Sequence, residues 1–316
     1  MNTDDPSALS AFSKAQVQET FNRAADSYDS AAIVQQEVCK RLLERLDYIK
    51  IKPQLILDLG TGTGQGIQGL AEQYPQAELI AMDLAPRMLQ KCRQRLKPSG
   101  LTDKLRRAIR ANRYHYVCAD AERLPLADAS VDLIFSNLTI QWCTDLVQLF
   151  QEFRRVLKPG GLLLFTTFGT DTLKELRTSW AAVSDKVHVN DFTDMHDIGD
   201  ILYNVQTENP VMDSERIVLN YSSVKQIMLD LKAVGAHNQN RGRETALTGK
   251  QRFKAMLEEY EQFKTVDGYP LTYEVVYGHA WNPRTPLQNT HAIDNGQQTS
   301  ISMAQLKSTL KSRDKK

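Results

Sequence analysis

The chain has 316 residues, of which 41% are hydrophobic and 24% are charged, which is typical of a soluble globular protein. Lysine and arginine (39) almost balance aspartate and glutamate (38), so the net charge of +1 argues against a nucleic-acid or anionic-membrane partner. The polar N-terminus, the lack of a long apolar run and four cysteines without a CxxC pair predict a cytoplasmic protein with reduced thiols.

Residues 1–13 are polar, and we expect them to be disordered. Helical spacing of apolar residues then predicts two helices with a break near Asp29. Short apolar runs follow, alternating with amphipathic stretches, and this pattern predicts a parallel sheet covered by helices on both faces. The predicted strands are 54–59, 77–83, 114–120, 131–137 and 161–168, and the helices between them are 64–73, 86–96 and 146–157.

The pattern changes after residue 168. We predict helices at 172–183, 196–203, 224–234 and 250–263, and strands at 212–221 and 271–281. Residues from about 171 to 209 are expected to form a cap insertion within a domain that spans 14–283. Residues 284–316 contain six lysines and arginines against two acids, and we expect a flexible basic tail.

The stretch LDLGTGTGQG at residues 57–66 directly follows the first predicted strand. Open sheets of this class bind ligands at that edge, and glycines let a ligand approach the backbone closely. The stretch has no lysine and so is not a Walker loop. The literal GxGxxG at 64–69 begins inside the predicted helix, too late for a dinucleotide fingerprint. The loop therefore favours a ligand other than a pyrophosphate.

The same loop, read as DxGxGxG from Asp58 to Gly64, resembles the first motif of class I methyltransferases that use S-adenosylmethionine. Acids at the next two strand ends, an asparagine at the fourth and the turn VLKPGG before the fifth follow in the order of that family. The resemblance covers roughly residues 21–168, although the link 97–113 is longer than usual. It implies an α/β Rossmann-like sheet of seven mostly parallel strands with helices on both faces, N-terminal helices and a small helical cap.

The resemblance also implies which residues bind the cofactor. The glycine loop would wrap its amino-acid part, Asp83 its ribose hydroxyls, and Asp120 with Glu122 would lie near adenine, while Arg23 would pair with its carboxylate. Structural alternatives remain open, since Asp58 can simply accept loop amides and Asp83 can cap the next helix. The full predicted set is Arg23, Asp58, Gly60, Thr61, Gly62, Gly64, Asp83, Leu84, Asp120, Ala121, Glu122 and Asn137.

Four further stretches narrow the resemblance: 21–29 (FNRAADSYD), 136–146 (SNLTIQWCTDL), 231–250 and 270–281 (PLTYEVVYGHAW). They look like the malonyl-[acyl-carrier protein] methyltransferases of biotin synthesis, and the run NLTIQWC is the most telling. The resemblance implies esterification of the free carboxylate of a malonyl thioester, carried on acyl carrier protein or coenzyme A. Such a carboxylate is ionised at pH 7, so no general base is expected.

Three residues are predicted to position the acceptor. Tyr28 and Trp142 could close the cavity around the positive sulfur, and Arg177 could pair with the substrate carboxylate. Each has a structural alternative, as core aromatics and as a solvated helix arginine. None of the six histidines has metal-ligand spacing, so no metal site is predicted.

An acidic carrier calls for a basic docking face. The two candidate docking patches are Lys104, Arg106, Arg107, Arg110 and Arg113, and Arg241, Arg243, Lys250 and Arg252.

Two alternative functions stay open: another small-molecule or quinone methyltransferase, and a non-catalytic assembly factor that binds the cofactor. The oligomeric state is not predicted.

Overall fold

The computed structural model describes residues 13–97, 113–235 and 249–284, which belong to one compact unit ending at Arg284. Within these ranges no helix is both long and apolar enough to cross a bilayer. The strands are β1 (Leu55–Leu59), β2 (Glu78–Asp83), β3 (Tyr114–Cys118), β4 (Val131–Ser136), β5 (Leu157–Phe168), β6 (Glu208–Tyr221) and β7 (Tyr269–Trp281). The α-helices are α1 (Lys14–Ala24), α2 (Tyr28–Ala31), α3 (Ile33–Arg45), α4 (Gln65–Gln73), α5 (Pro86–Arg95), α6 (Leu146–Val156), α7 (Lys174–Ala181), α8 (Met195–Asn204), α9 (Val224–Ala233) and α10 (Lys250–Tyr260).

The strands form one sheet in the order β3-β2-β1-β4-β5-β7-β6. The pairs among β1 to β5 are parallel, whereas β7 runs antiparallel to both β5 and β6. The predicted seven-stranded, mostly parallel sheet is therefore confirmed. Strand order changes direction between β1 and β4, and ligands bind at such a switch point in open α/β sheets.

Each strand of the parallel part supplies two hydrophobic layers, because successive side chains point to opposite faces. Ile56 packs in the layer that also contains side chains of α3, α4, α7 and α9, while the adjacent Leu57 packs with α6 and α8. The predicted cap segment thus contributes α7 to one layer and α8 to the other. The space near α7 and α9 borders the site described below.

The N-terminal helices break at a different place from the predicted one. The break predicted near Asp29 falls inside the short α2, and the chain instead leaves the helix on either side of it, at residues 25–27 and at Ala32. Ser27 explains this change, because its amide and its hydroxyl both donate to the carbonyl of Ala24, at 3.0 and 3.3 Å. A serine side chain that bonds the backbone locally competes with helix continuation.

Candidate functional site

A first cavity opens at the carboxyl ends of β1 to β4, at the switch point of the sheet. Its walls come from the glycine loop, the ends of β2 and β3, the loop after β4 and the N-terminal helices. Most of the predicted site residues line it, namely Tyr28, Gly60, Gly62, Asp83, Leu84, Asp120, Ala121, Glu122, Asn137 and Trp142. Strand ends that are distant in sequence thus meet around one space.

The glycine loop bends sharply under this cavity. Gly60, Gly62 and Gly64 have φ values of 68°, 53° and 92°, a region that residues with a Cβ rarely adopt. The amides of Gly60 and Thr61 donate to the carbonyl of Met82 at 2.8 and 3.0 Å, which ties the loop to β2. Gly60 and Gly62 therefore present bare backbone to a ligand.

Asp58 and Thr61 lie beneath the loop rather than on the wall of the first cavity. The hydroxyl of Thr61 donates to Asp58 Oδ2 at 2.6 Å, and burial raises the pKa of Asp58 to about 7. Both residues border a small space behind the loop, together with Tyr28 and Gln35. The structural interpretation of Asp58 therefore fits its geometry, since its carboxylate holds the loop in shape.

Asp83 ends β2 and lines the first cavity. Its two carboxylate oxygens accept from the amides of Gly62 and Ala85, at 2.9 and 2.8 Å. Burial raises its pKa to about 6, since desolvation outweighs these hydrogen bonds. The carboxylate thus organises the loop and the start of α5, and it also faces the cavity.

Lys14, which the sequence did not single out, reaches the acids after β3. Its ammonium group lies 2.5 Å from Asp120 Oδ2 and 2.6 Å from Glu122 Oε2. Gln18, one turn later in α1, donates to the carbonyl of Leu84 at 2.8 Å. α1 therefore forms one wall of the cavity. The ammonium group of Lys14 attaches it to Asp120 and Glu122, the acids that are predicted to lie near adenine.

An aromatic cluster, in which Phe21 of α1 takes part, also lines the cavity. Phe21 meets Trp142 edge-to-face with ring centroids 5.3 Å apart, and Tyr28 at 6.4 Å. All three rings line the first cavity. Burial raises the pKa of the Tyr28 hydroxyl above its usual range, so this group stays protonated. The sequence does not single out Phe21, because an aromatic residue at helical spacing is typical of an ordinary helix core.

A second, larger cavity of about 720 Å³ adjoins the first. Side chains of α7, α9, α10 and the segment 187–192 surround it. The ring of Phe168 meets Phe192 edge-to-face and Tyr273 at a tilt, with centroid distances of 5.7 and 5.6 Å. Lys225 and Lys232 also line it, and both are exposed on α9. Its lining is mostly apolar, with the polar side chains of Thr172, His188 and Asn190 among it, and its exposed lysines make the outer edge positive.

The two cavities share part of their walls. The side chains that line both are Gln35, Trp142, Phe168 and Val234. The shared wall contains no formal charge, because its polar members are an amide and an indole. A ligand in one cavity can therefore meet a ligand in the other across a mostly apolar junction.

Two predicted arginines lie on neither cavity wall. Arg23 is 68% exposed and contacts Glu19 one turn earlier in α1. Arg177 donates to the carbonyls of Thr170, Thr172 and Asn190, at 2.8 to 3.4 Å. Arg177 thus fastens the segment around α7, and the ligand contacts of both arginines stay predictions.

The predicted docking patches are only partly described. Residues 104–110 and Arg241 with Arg243 lie outside the described residues. Arg113 donates to the carbonyls of Ala77, Ala71 and Tyr74, at 2.6 to 3.0 Å, so it supports the chain around α4 and β2. Lys250 and Arg252 are exposed at the start of α10, and their docking role stays a prediction.

Comparisons with known proteins agree with this geometry. Residues 57–165 match a family model described as a methyltransferase domain. The chain is 49% identical over 270 residues to the malonyl-[acyl-carrier protein] O-methyltransferase of Gallionella capsiferriformans, covering 85% of this chain and 91% of that protein. It is 48% identical over 276 residues to the protein of the same name from Nitrosospira multiformis, covering 85% and 89%. The YcgJ protein from Bacillus subtilis shares the fold, with a TM-score of 0.52, 13% identity, and coverage of 78% of this chain and 100% of its own.

Proposed function

Because the chain belongs to the malonyl-[acyl-carrier protein] O-methyltransferase family, we propose that it esterifies the free carboxylate of a malonyl thioester. The methyl donor is S-adenosylmethionine, and the reaction serves biotin synthesis. The observation that carries this assignment is the 49% identity to the Gallionella capsiferriformans protein over 85% of the chain. Four free cysteines support a reducing compartment, and we place the enzyme in the cytoplasm.

The side chains and backbone groups that line the first cavity suit the chemistry of the cofactor. The backbone of Gly60 and Gly62 lines the space where an amino-acid moiety would lie, and Asp83 offers a carboxylate for two ribose hydroxyls. Asp120 and Glu122 would face the adenine end. S-adenosylmethionine supplies an electrophilic methyl group on a positive sulfur, and the rings of Tyr28, Phe21 and Trp142 would favour that charge.

Cofactor affinity should depend on pH through Asp83. Its pKa in the free protein is about 6, and the two ribose hydroxyls need the ionised carboxylate as acceptor. Affinity should therefore rise with pH up to about 6 and level off above it. Since one pH unit below a pKa leaves about a tenth of the group ionised, we expect roughly tenfold weaker binding at pH 5 than at pH 7.

Calorimetry between pH 5 and 8 would measure this dependence. Asp83→Asn should bind S-adenosylmethionine more weakly, and its affinity should no longer change near pH 6. A loss of this change would attribute it to Asp83 and not to the buried Asp58 or to titration of the cofactor. An identical pH profile in this variant would contradict the assignment. Protonation of Asp83 also affects folding. Because its pKa is higher in the folded protein, the folded state binds more protons between pH 4 and 6, and stability falls as pH rises from about 4 to 6.

The acceptor needs positioning rather than activation. A malonyl carboxylate is ionised far below pH 7 and is already the nucleophile. Attack on the cationic methyl donor yields neutral products, and loss of charge is favoured in a cavity that excludes water. Phe168, Val234 and Trp142 supply that apolar junction. Holding reactants in place can contribute on the order of 7–11 kcal/mol to such a reaction.

We assign the acyl arm to the second cavity. Its mostly apolar lining suits the thioester chain, and Lys225 and Lys232 lie seven residues apart on one face of α9, where a phosphate could contact both. A phosphate-bearing pantetheine arm occurs on acyl carrier protein and on coenzyme A. Lys250 and Arg252, exposed on the neighbouring α10, extend the positive surface toward an acidic carrier.

The decisive experiment offers S-adenosylmethionine with malonyl-carrier protein, malonyl-coenzyme A and malonyl-pantetheine, and detects the methyl ester by mass spectrometry. We expect ester on all three acceptors, with a lower KM for the two that carry a phosphate. K225A/K232A should raise their KM by roughly tenfold or more, the size of a lost charged hydrogen bond, while leaving malonyl-pantetheine unchanged. Lys40→Ala, an exposed lysine on α3, is the matched control.

Two results would overturn the proposal. Turnover of a phenol or quinol with none on any malonyl thioester would indicate a different acceptor. Tight cofactor binding without any methyl transfer would indicate a non-catalytic binding protein.

A further inference from the structure

Gln35 occupies a position that the sequence did not single out. It lies in the first turn of α3 and lines both the cofactor cavity and the acyl cavity. It also borders the small space behind the glycine loop. Its side chain therefore stands where the two substrates would meet.

The backbone at Gln35 is held firmly at the edge of the sheet. The side-chain amide of Asn137, after β4, donates to the Gln35 carbonyl at 3.0 Å, and its Oδ1 accepts from Thr166 on β5 at 3.0 Å. Asn137, predicted as a cofactor ligand, thus connects β4, β5 and α3. Such a tie fixes where the Gln35 side chain begins.

The side-chain amide of Gln35 itself is available. Among the described amide and hydroxyl side chains of the first cavity, Asn137, Thr139 and Gln141 each donate to a protein carbonyl. Gln35 and Tyr28 donate to no protein group within the described residues. Of the two, Gln35 alone also lines the acyl cavity.

Cations are absent from this junction among the described residues. Lys14 lines the first cavity but pairs with Asp120 and Glu122, and Lys225 and Lys232 lie at the outer edge of the second. A fixed cation beside the acceptor would stabilise the carboxylate and oppose its neutralisation. A neutral amide can orient the same anion by a hydrogen bond while leaving its charge in place.

We propose that the Gln35 side-chain amide donates to the free carboxylate of the acceptor and aims one of its oxygens at the methyl group. This role rests on the proposed function. One carboxylate oxygen forms the new bond to the methyl carbon as the carbon–sulfur bond breaks, and the sulfur keeps that electron pair. The resulting ester is a weaker acceptor than the carboxylate, so the hydrogen bond weakens on reaction and favours product release.

The test compares Gln35→Leu, Gln35→Glu and the wild type for kcat, KM and cofactor affinity. Gln35→Leu should lower kcat/KM for the malonyl thioester on the order of 10- to 100-fold, the size of a hydrogen bond to a charged group, with cofactor affinity unchanged. Gln35→Glu should lose more at pH 8 through charge repulsion. Its deficit should shrink as pH falls toward 5, because a protonated glutamate regains a donor.

Gln36→Leu is the matched control. Gln36 is the next residue of α3 and lines neither of the two cavities, and its amide donates to the Asp29 carbonyl at 2.6 Å, so the variant should keep kcat/KM even if stability drops. Weaker cofactor binding in Gln35→Leu with unchanged acceptor kinetics would assign the residue to the cofactor and overturn the inference. Equal kcat/KM in wild type and Gln35→Leu would overturn it too, whereas an inactive wild type would overturn the proposed function instead.

Discussion

Replacing Asp83 by alanine should weaken S-adenosylmethionine binding on the order of 100-fold or more. Two hydrogen bonds from ribose hydroxyls to a carboxylate would be lost, each contributing about 1.5–3 kcal/mol, against some solvation of the freed hydroxyls. The amide of Gly62 would also lose its acceptor at 2.9 Å, so the loop that wraps the cofactor becomes less ordered. Calorimetry at pH 7.5 measures the change.

Glu78→Ala is the matched control, because Glu78 begins the same strand and its side chain is 63% exposed beside His115. It should leave cofactor affinity unchanged. The Asp83→Ala variant also decides whether Asp83 binds the cofactor or only caps α5. If the carboxylate only caps α5, Asp83→Ala should have a lower melting temperature and an unchanged affinity for S-adenosylmethionine. That outcome would remove Asp83 from the cofactor site.

The sheet and its strand-end acids could be predicted because they depend on local signals. An apolar run buried on both faces, a glycine loop after it and an acid after the next run are all readable within about 30 residues of sequence. The order of strands follows from the few topologies that such a pattern permits. Asp83 and the pair Asp120 and Glu122 therefore reach the cavity as predicted.

The partners of these residues could not be predicted from local patterns. Lys14 is 106 residues from Asp120, and nothing in α1 distinguishes it from a solvated lysine. Gln35 reaches the junction because α3 packs on the sheet and Asn137 holds its backbone, and both depend on residues far away in the sequence. Arg177 illustrates the reverse case, since a sequence cannot tell a guanidinium that binds backbone carbonyls from one that awaits a ligand.

Replacing Gly60 by alanine should destabilise the protein by about 2–5 kcal/mol and prevent cofactor binding. Gly60 has a φ of 68°, which is unfavourable by about 1–2 kcal/mol for a residue with a Cβ. An added Cβ would also lie 2.0 Å from Thr139 Oγ1 and 2.4 Å from its Cγ2, and overpacking of this kind costs about 1–3 kcal/mol more. Urea unfolding measures the stability.

The steric part of this effect can be separated from the backbone part. The three nearest atoms to the added Cβ all belong to Thr139, so Gly60→Ala/Thr139→Gly should lose less stability than the sum of the single variants. Gly62→Ala is the companion control, since φ is also positive at 53° but the nearest atom lies 4.0 Å away. It should cost only about 1–2 kcal/mol. Strictly additive losses of stability would mean that the glycine loop relaxes away from Thr139. The close packing of Gly60 against the loop after β4 would then not determine the position of the cavity wall.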